Sequence, residues 1–220
     1  MKYYIRTTLE RELDESYNQI DYTLIVDKES KPIDNFVQSL YQISEDDAVL
    51  LEDDLILCKN FDERIHNAIQ EYPNRIINFF QAPWFYQLTK EDGRISYNQC
   101  TFYPKGIAQV IAKEMEQVPR IEKYPKSRQY SLIEYQAMQN LGLTLIQYRP
   151  ALVQHLDMKS LLFPHSGAVI KGMRRCPFFI DYLDELGISY EEAKDYQKEL
   201  RNCMARHFSE IEKRLENDNV

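Results

Sequence analysis

Paired cysteines, long apolar runs and an excess of positive charge are all missing from this chain of 220 residues. The four cysteines are scattered, with no Cys-x-x-Cys pair, which argues against a zinc site and against a disulfide framework. No window approaches the roughly 18 apolar residues of a membrane span, and the opening stretch MKYYIRTTLERE lacks the apolar region of a signal peptide. We therefore expect reduced thiols, no membrane span and a cytoplasmic location.

The balance of charge is acidic, with a net charge of -8 and a pI of about 5.1. Such a balance argues against broad electrostatic binding to nucleic acid or to anionic membranes. What the chain does have is apolar material, since 44% of its residues are hydrophobic and 12% are aromatic. This composition supplies a core for one domain, and no internal repeat interrupts it.

Strand-like and helix-like patterns alternate along most of the chain. The extended stretches are KYYIRTT, YTLIVD, AVLLED, RIINFF, GRISYNQCTFYP and LTLIQYRP, and the helical ones are PIDNFVQSLYQI, FDERIHNAIQEY, KGIAQVIAKEMEQ and QYSLIEYQAMQNLG. Pro32 favours the start of the first helix, Asn60 is placed to cap the second, and Gly142 favours a left-handed C-cap on the last. The alternation predicts an α/β fold, doubly wound around a mostly parallel sheet.

The C-terminal third has a different character. Residues 151–179 carry proline, glycine and basic residues without periodicity, which predicts a long irregular arm, and such segments are usually functional. Residues 190–217 have apolar positions at three-and-four spacing, which predicts one long amphipathic helix. Ser189 and Glu192 have the spacing of a capping box at its start.

The apolar stripe of this last helix needs cover, either from the body of the domain or from a second copy of the chain. We expect a homodimer that forms through the helix. We also expect two parts in the chain, a main domain over residues 1–180 and a C-terminal helical extension over residues 181–220.

Three consecutive acids, Glu52, Asp53 and Asp54, interrupt the apolar run in DDAVLLEDDLILCKNF. Adjacent carboxylates repel one another, and Asp is depleted in strands. At the carboxyl end of a strand in an open α/β sheet they would line the crevice where ligands bind, and hard oxygen ligands suit Mg²⁺ or Mn²⁺. The alternative is a solvated turn between a strand and a helix.

The stretch AVLLEDDLILCKNF resembles the D-x-D region of nucleotide-sugar glycosyltransferases with the GT-A fold, particularly bacterial lipooligosaccharide-type and phage-encoded members. INFF, YNQCTFYP and PALVQHLDMKSLL resemble the same group in the same order, so the resemblance covers roughly residues 20–180. It implies an enzyme that moves a sugar from a nucleoside-diphosphate sugar, most commonly a UDP-sugar, to an acceptor. Mn²⁺ or Mg²⁺ would bridge the two phosphates of the donor.

The resemblance assigns roles to residues that match its motifs. Asp54 occupies the last position of the D-x-D pattern and would ligate the metal. His155 matches the histidine that completes the metal shell in many such enzymes; a structural histidine is the alternative. Glu52 stands where the family usually has Asp and would face the ribose or the donor sugar, with Asp53 beside it in the nucleotide site.

Four further residues fit the binding of a nucleotide on physical grounds. Asp27 ends a strand, where it could accept hydrogen bonds from uracil or ribose, or simply form a turn. Lys171, Arg174 and Arg175 place cations on the irregular arm, where they could stabilise the charge of a departing phosphate. A solvated basic run is the alternative for these three.

The acceptor and the sugar also need partners. Glu134 is a candidate general base in a region where the family often shows an acidic pair. An exposed helical glutamate is the alternative interpretation. Trp84, in the aromatic stretch QAPWFYQ, could support a sugar ring, and Asn98 and Gln99 could bind its hydroxyls; ordinary packing is the alternative.

Two other classes of protein remain compatible with the sequence. One is a noncatalytic module that binds a sugar nucleotide or serves in assembly, which the long C-terminal helix favours. The other is a metal-dependent phosphoryl-transfer enzyme, because such enzymes also cluster carboxylates at strand ends. The acidic charge argues against a nuclease, which needs a basic groove.

Overall fold

The structure is a computed structural model, and it describes residues 1–28, 31–81, 98–120, 126–156 and 175–217. Among the helices in these ranges, none combines the length and the apolar character needed to cross a membrane.

A six-stranded sheet forms the centre of the molecule. The strands of the described residues are β1 (Lys2–Thr7), β2 (Tyr22–Val26), β3 (Ala48–Glu52), β4 (Leu55–Leu57), β5 (Ile76–Asn78), β6 (Cys100–Tyr103), β7 (Leu145–Gln147) and β8 (Val153–His155). The central sheet has the order β2-β1-β3-β6-β5-β7, and only β6 among these strands runs against the others. β4 and β8 form a separate antiparallel pair. The expectation of a mostly parallel α/β sheet is confirmed.

Helices cover both faces of the central sheet. They are α1 (Pro32–Gln42), α2 (Phe61–Glu71), α3 (Ile107–Met115), α4 (Lys126–Asn140), α5 (Ile180–Leu186) and α6 (Gln197–Asn217). Alternate side chains of a strand point to opposite faces. Tyr4 and Leu50 therefore join the core under α1, α3 and α4, whereas Tyr3 and Val49 join the core shared with α2, α5 and α6.

The helix ends agree with the sequence patterns at some positions only. Gly142 has a φ of 66°, and Leu143 N donates to Met138 O at 2.9 Å, so the expected left-handed end of α4 is present. Asn60 lies at the start of α2, but its side chain makes no capping hydrogen bond. The expected side-chain cap is therefore wrong.

The last helix begins later than the pattern predicts. Ser189 N and Oγ both donate to Glu192 Oε2, at 2.8 and 2.7 Å, so the capping box forms. It lies at a short 3-10 turn, Glu192–Lys194, and α6 starts only at Gln197. A single helix over residues 190–217 is therefore wrong at its beginning.

The apolar stripe of α6 is covered by the rest of the chain. Leu200, Cys203, Phe208 and Ile211 are at most 4% exposed. Phe208 and Ile211 pack against Ile56 of β4. The body of the domain thus supplies the cover that the stripe needs, and the homodimer stays a prediction.

The predicted irregular arm is regular at its beginning. Residues 153–155 form β8, and the chain returns beside it, because Cys176 N donates to Gln154 Oε1 at 2.7 Å and Gln154 Nε2 donates to Cys176 O at 2.8 Å. The prediction of an irregular arm over residues 151–179 is therefore wrong at residues 153–155, which form a strand. Residues 157–174 lie outside the described part of the chain.

Candidate functional site

The carboxyl ends of β1, β2 and β3 meet the beginning of β6, because β6 runs in the opposite direction. Asp27 N donates to Thr7 O at 2.8 Å, which holds the end of β2 beside the end of β1. Glu52 N donates to Gln99 O at 2.9 Å, which holds the end of β3 beside the start of β6. Residues expected to bind a nucleotide and residues expected to bind a sugar therefore lie at the same end of the sheet. This end, where β1, β2 and β3 finish, is the carboxyl edge of the sheet.

The acidic triplet forms the corner between the two sheets. Glu52 ends β3 in the central sheet, and β4 begins directly after Asp54 in the small one. Pairing of β4 with β8 places Leu55 opposite His155. As a result, His155 Nε2 lies 3.2 Å from Asp54 Oδ2, with the His155 side chain 1% exposed. The two residues that the resemblance links to one metal are in contact.

Arg11, which the sequence reasoning missed, binds two of the acids. Its Nη1 lies 3.1 Å from Asp54 Oδ2 and 3.4 Å from Asp53 Oδ1. The side chains of Arg11, Asp53 and Asp54 are 8%, 10% and 15% exposed. Arg11 lies in irregular chain after β1, and its partners are distant in sequence, so no local pattern marks it.

Glu52 is held by a second arginine. Arg6 stands next to Glu52 in the register of β1 with β3, and its Nη1 donates to Glu52 Oε1 at 2.8 Å. Arg6 Nε also donates to Asn35 Oδ1 at 3.0 Å. Its guanidinium lies over the rings of Phe36 and Tyr130, 5.0 and 5.4 Å from their centres. Glu52 is thus paired with an arginine whose guanidinium is held in place by Asn35 and two aromatic rings.

Burial raises the pKa of two of the three acids, and a nearby cation or hydrogen bond opposes each rise. Burial raises the pKa of Glu52 to about 7, against the opposing charge of Arg6. Burial also raises the pKa of Asp53, and a hydrogen bond from Thr7 opposes that rise. Tyr17 donates its hydroxyl to Glu52 O. The alternative of a solvated turn is wrong, because the acids are largely buried and paired.

Glu134 is fully enclosed rather than exposed on its helix. Tyr103 donates its hydroxyl to Glu134 Oε1 at 2.6 Å, and Asn98 Nδ2 donates to Oε2. Burial raises the pKa of Glu134 to about 8. The alternative of an exposed helical glutamate is therefore wrong. Its function as a base stays a prediction, since both oxygens already accept hydrogen bonds and the residue has no exposed surface.

Among the residues that the structure describes, three buried amide oxygens have no hydrogen-bond donor: Gln81 Oε1, Asn98 Oδ1 and Gln99 Oε1. Their residues are 1%, 2% and 5% exposed. A buried acceptor without a partner destabilises the protein, so a ligand that brings hydroxyl or amide donors would be stabilised there. Trp84, the third expected sugar-binding residue, lies outside the described residues.

The cations expected on the arm are only partly described. Arg175 lies over the ring of Phe208, 3.6 Å from its centre, and its Nη2 lies 3.5 Å from Glu212 Oε1. The contacts that the structure shows for Arg175 thus tie it to α6. Lys171 and Arg174 lie outside the described residues.

The corner supplies two of the ligands that a divalent cation would need. In the described part of the chain, no three His, Cys, Asp or Glu side chains form a ready metal site. The Asp54 carboxylate and the His155 imidazole nevertheless offer one oxygen and one nitrogen within 3.2 Å of each other. Mn²⁺ accepts both donor types, and such ions commonly complete their shell with water and substrate phosphates.

Comparison with known proteins adds little to this geometry. No protein-family model and no curated protein matches the chain. A solved structure titled "Crystal Structure of A197 from STIV" is similar, with 10% sequence identity and a TM-score of 0.41 over 70% of this chain and 84% of that chain. A likeness this low carries no argument about function.

Proposed function

We propose that this chain is a metal-dependent glycosyltransferase with a GT-A-like sheet, and that a nucleoside-diphosphate sugar, with UDP favoured, is its donor. The observation that carries the proposal is the 3.2 Å contact between Asp54 and His155 at the carboxyl edge of the sheet. The D-x-D resemblance links these two residues to one metal through their motifs alone. They come from separate parts of the chain, and the pairing of β4 with β8 brings them together.

The proposal assigns a separate function to each group of residues at this end of the sheet. Asp54 and His155 would hold Mn²⁺ or Mg²⁺, which supplies positive charge to the leaving diphosphate. Arg6 fixes the carboxylate of Glu52. Asn98 and Gln99 lie at the same end of the sheet and stay candidates for binding sugar hydroxyls, although their amide oxygens are buried.

A noncatalytic module that binds a sugar nucleotide is the second candidate. The enclosed position of Glu134 favours it, because a general base must reach the hydroxyl that it deprotonates. A phosphoryl-transfer enzyme has less support, since the net charge of -8 opposes the binding of a polyanion.

Calorimetric titration of UDP and UDP-sugars, in Mn²⁺ or in EDTA, tests the metal. We expect Mn²⁺ to strengthen binding to the wild type, and Asp54→Asn to abolish that gain, because donor and metal are thermodynamically coupled through one carboxylate. His155→Ala should reduce the gain less, since water can replace one ligand. Asp21→Asn and His66→Ala are the matched controls, because both residues are exposed. Equal affinity in Mn²⁺ and in EDTA for the wild type would rule out the metal bridge.

Release of UDP from the bound donor separates the two candidates. A transferase should slowly hydrolyse the donor in Mn²⁺, because water takes the sugar in place of the unidentified acceptor and UDP leaves, whereas a binding module should bind the donor and leave it intact. If Glu134 is the base, Glu134→Gln should lower turnover about a hundredfold at nearly unchanged donor affinity. Turnover close to that of the wild type would assign Glu134 a structural role only.

A further inference from the structure

Arg11 and a divalent cation would need the same carboxylate oxygen. Asp54 Oδ2 already lies 3.1 Å from Arg11 Nη1 and 3.2 Å from His155 Nε2. The arginine and the carboxylates are largely shielded from water, so their charges act strongly on one another. A guanidinium and a divalent ion on one carboxylate repel each other, and binding of one therefore opposes binding of the other.

The chain is held in place on both sides of Arg11. Leu9, two residues before it, is 60% exposed, so this part of the main chain lies at the surface. The segment is fixed on both sides. Thr7 ends β1, and Asp14 Oδ1 accepts a hydrogen bond from Ser16 N at 2.9 Å at the start of a 3-10 turn. An arginine that leaves Asp54 would therefore stay beside the edge of the sheet.

A second observation at this edge points to a ligand. Gln99 follows Asn98 just before β6, lies beside Glu52 and is 5% exposed, yet its amide oxygen has no donor within the described part of the chain. A polar ligand that reached this buried oxygen would lie at the same end of the sheet as Glu52 and the acids that Arg11 contacts. An arginine guanidinium is well suited to such a ligand if it carries phosphates, because it binds them through two parallel hydrogen bonds.

We infer that Arg11 is the internal counter-ion of the site, and that it exchanges partners when donor and metal bind. Its guanidinium neutralises Asp53 and Asp54 until a divalent cation takes Asp54, and it then pairs with a phosphate of the nucleotide. The inference rests on the proposed metal site at Asp54. It makes metal and nucleotide binding cooperative, because the cation frees the arginine that the phosphate uses.

Titration of Mn²⁺ alone, and then of UDP in saturating Mn²⁺, tests the exchange by calorimetry. We expect Arg11→Gln to bind Mn²⁺ about tenfold more tightly than the wild type and UDP about tenfold more weakly. Arg75→Gln is the matched control, because Arg75 bonds to Thr144 at the opposite edge of the sheet. It should change both affinities by less than about twofold.

Arg11→Lys keeps the charge and loses the planar fork, so it should bind Mn²⁺ like the wild type and UDP several-fold more weakly. If Arg11→Gln does not fold, Arg11→Lys still tests whether Arg11 binds a phosphate of UDP. Unchanged UDP affinity in Arg11→Lys, or Mn²⁺ affinity in Arg11→Gln that is equal to or below that of the wild type, overturns the exchange. If Asp54→Asn still abolishes Mn²⁺ binding in that case, the proposed metal site stands. If neither the wild type nor Arg11→Gln binds Mn²⁺, the metal site and the exchange both fail.

Discussion

Arg6 pairs with Glu52 beneath two aromatic rings, and its side chain is 7% exposed against 20% for Glu52. An ion pair of this kind contributes little net stability compared with an apolar pair of the same shape. Removal of one partner has a much larger effect, because it leaves a buried charge without compensation. The pair therefore fixes the position of Glu52 more than it stabilises the fold.

We predict that at pH 9 Arg6→Met lowers the free energy of unfolding by about 3 kcal/mol, since Glu52, whose pKa beside Arg6 is about 7, is ionised in the wild type at that pH and loses its partner. The double variant Arg6→Met/Glu52→Gln should recover part of this loss, because no unpaired charge remains. Urea denaturation of the two single variants and the double variant measures the coupling. Additive losses would show that the two residues act independently.

Glu134 makes the stability depend on pH. Its pKa in the folded protein is about 8, against an ordinary value of 4.5. Between these values the folded protein keeps a proton that the unfolded chain has released. The stabilising effect of that proton is fully present below pH 4.5 and is lost as the pH rises through 8. The free energy of unfolding should fall by up to about 1.4 kcal/mol per pH unit in this window.

Glu134→Gln should remove this part of the pH dependence, because the amide can still accept the hydrogen bond from Tyr103 but does not titrate. Chemical denaturation at several pH values between 5 and 8 measures the slope for both proteins. Glu63→Gln, on the exposed side of α2, is the control and should keep the slope of the wild type. Parallel curves for the wild type and Glu134→Gln would contradict a raised pKa.

At this scale the sequence singles out two candidate residues that lie in contact, but it does not predict their other partners. Motifs identify Asp54 and His155, and these two residues are in contact. Motifs do not identify Arg6 and Arg11, because the significance of both depends on strand register and on loop placement. The enclosed position of Glu134 is likewise hidden in the sequence, since Tyr103 and Asn98 approach it from another element.

Among the elements, α6 supports the strand that carries His155. Phe208 and Ile211 pack against Ile56 of β4, and β4 pairs with β8. Arg175 lies over the ring of Phe208 on the same side. The helix therefore acts as a support for one half of the candidate metal site.

We predict that Phe208→Ala lowers the free energy of unfolding by about 3 to 5 kcal/mol, because it leaves a cavity under α6. It should also weaken Mn²⁺ binding, since β8 loses the surface that holds its partner strand. Phe208→Leu is the control, and its smaller loss of volume should reduce both effects. Mn²⁺ affinity equal to that of the wild type in folded Phe208→Ala would show that α6 does not support the site.

Patterns of apolar residues predict the helices and strands that bury one face, such as α1 and β3. They do not predict β8, which is only three residues long and is defined by its pairing with β4. They also place the start of α6 too early, since the capping box at Ser189 belongs to a separate turn. Local signals thus indicate where a helix can begin, and tertiary contacts select the position.

For the whole molecule, alternation of strands and helices predicts a mostly parallel sheet. It carries no information on the order of the strands or on the reversal of β6, because both depend on contacts between distant parts of the chain. The reversal matters for the candidate site. It returns Asn98 and Gln99 to the edge at which β1, β2 and β3 end.

A ligand that binds only the folded protein should raise the melting temperature. At a concentration one hundred times the dissociation constant, the stabilisation is about 2.7 kcal/mol. For a chain of 220 residues this corresponds to a rise of roughly 5 to 10 °C. We predict such a rise for one sugar nucleotide in Mn²⁺ and a much smaller one in EDTA, as measured by a thermal shift screen. A flat response across UDP-, GDP-, CDP-, ADP- and TDP-sugars would contradict the proposed donor class.

The corner at Asp53 and Asp54 joins the central sheet to the pair β4–β8. No strand pairing links these two sheets in the described part of the chain, so their relative position depends on side-chain packing. Glu52 belongs to the central sheet and His155 to the small one, so any shift between the sheets would change the separation of these two candidate residues. The geometry of the site therefore depends on how the two sheets pack against each other. Under the proposed function, substitutions far from it that loosen this packing should weaken donor binding more than Mn²⁺ binding, because Asp54 and His155 are held together by the pairing of β4 with β8.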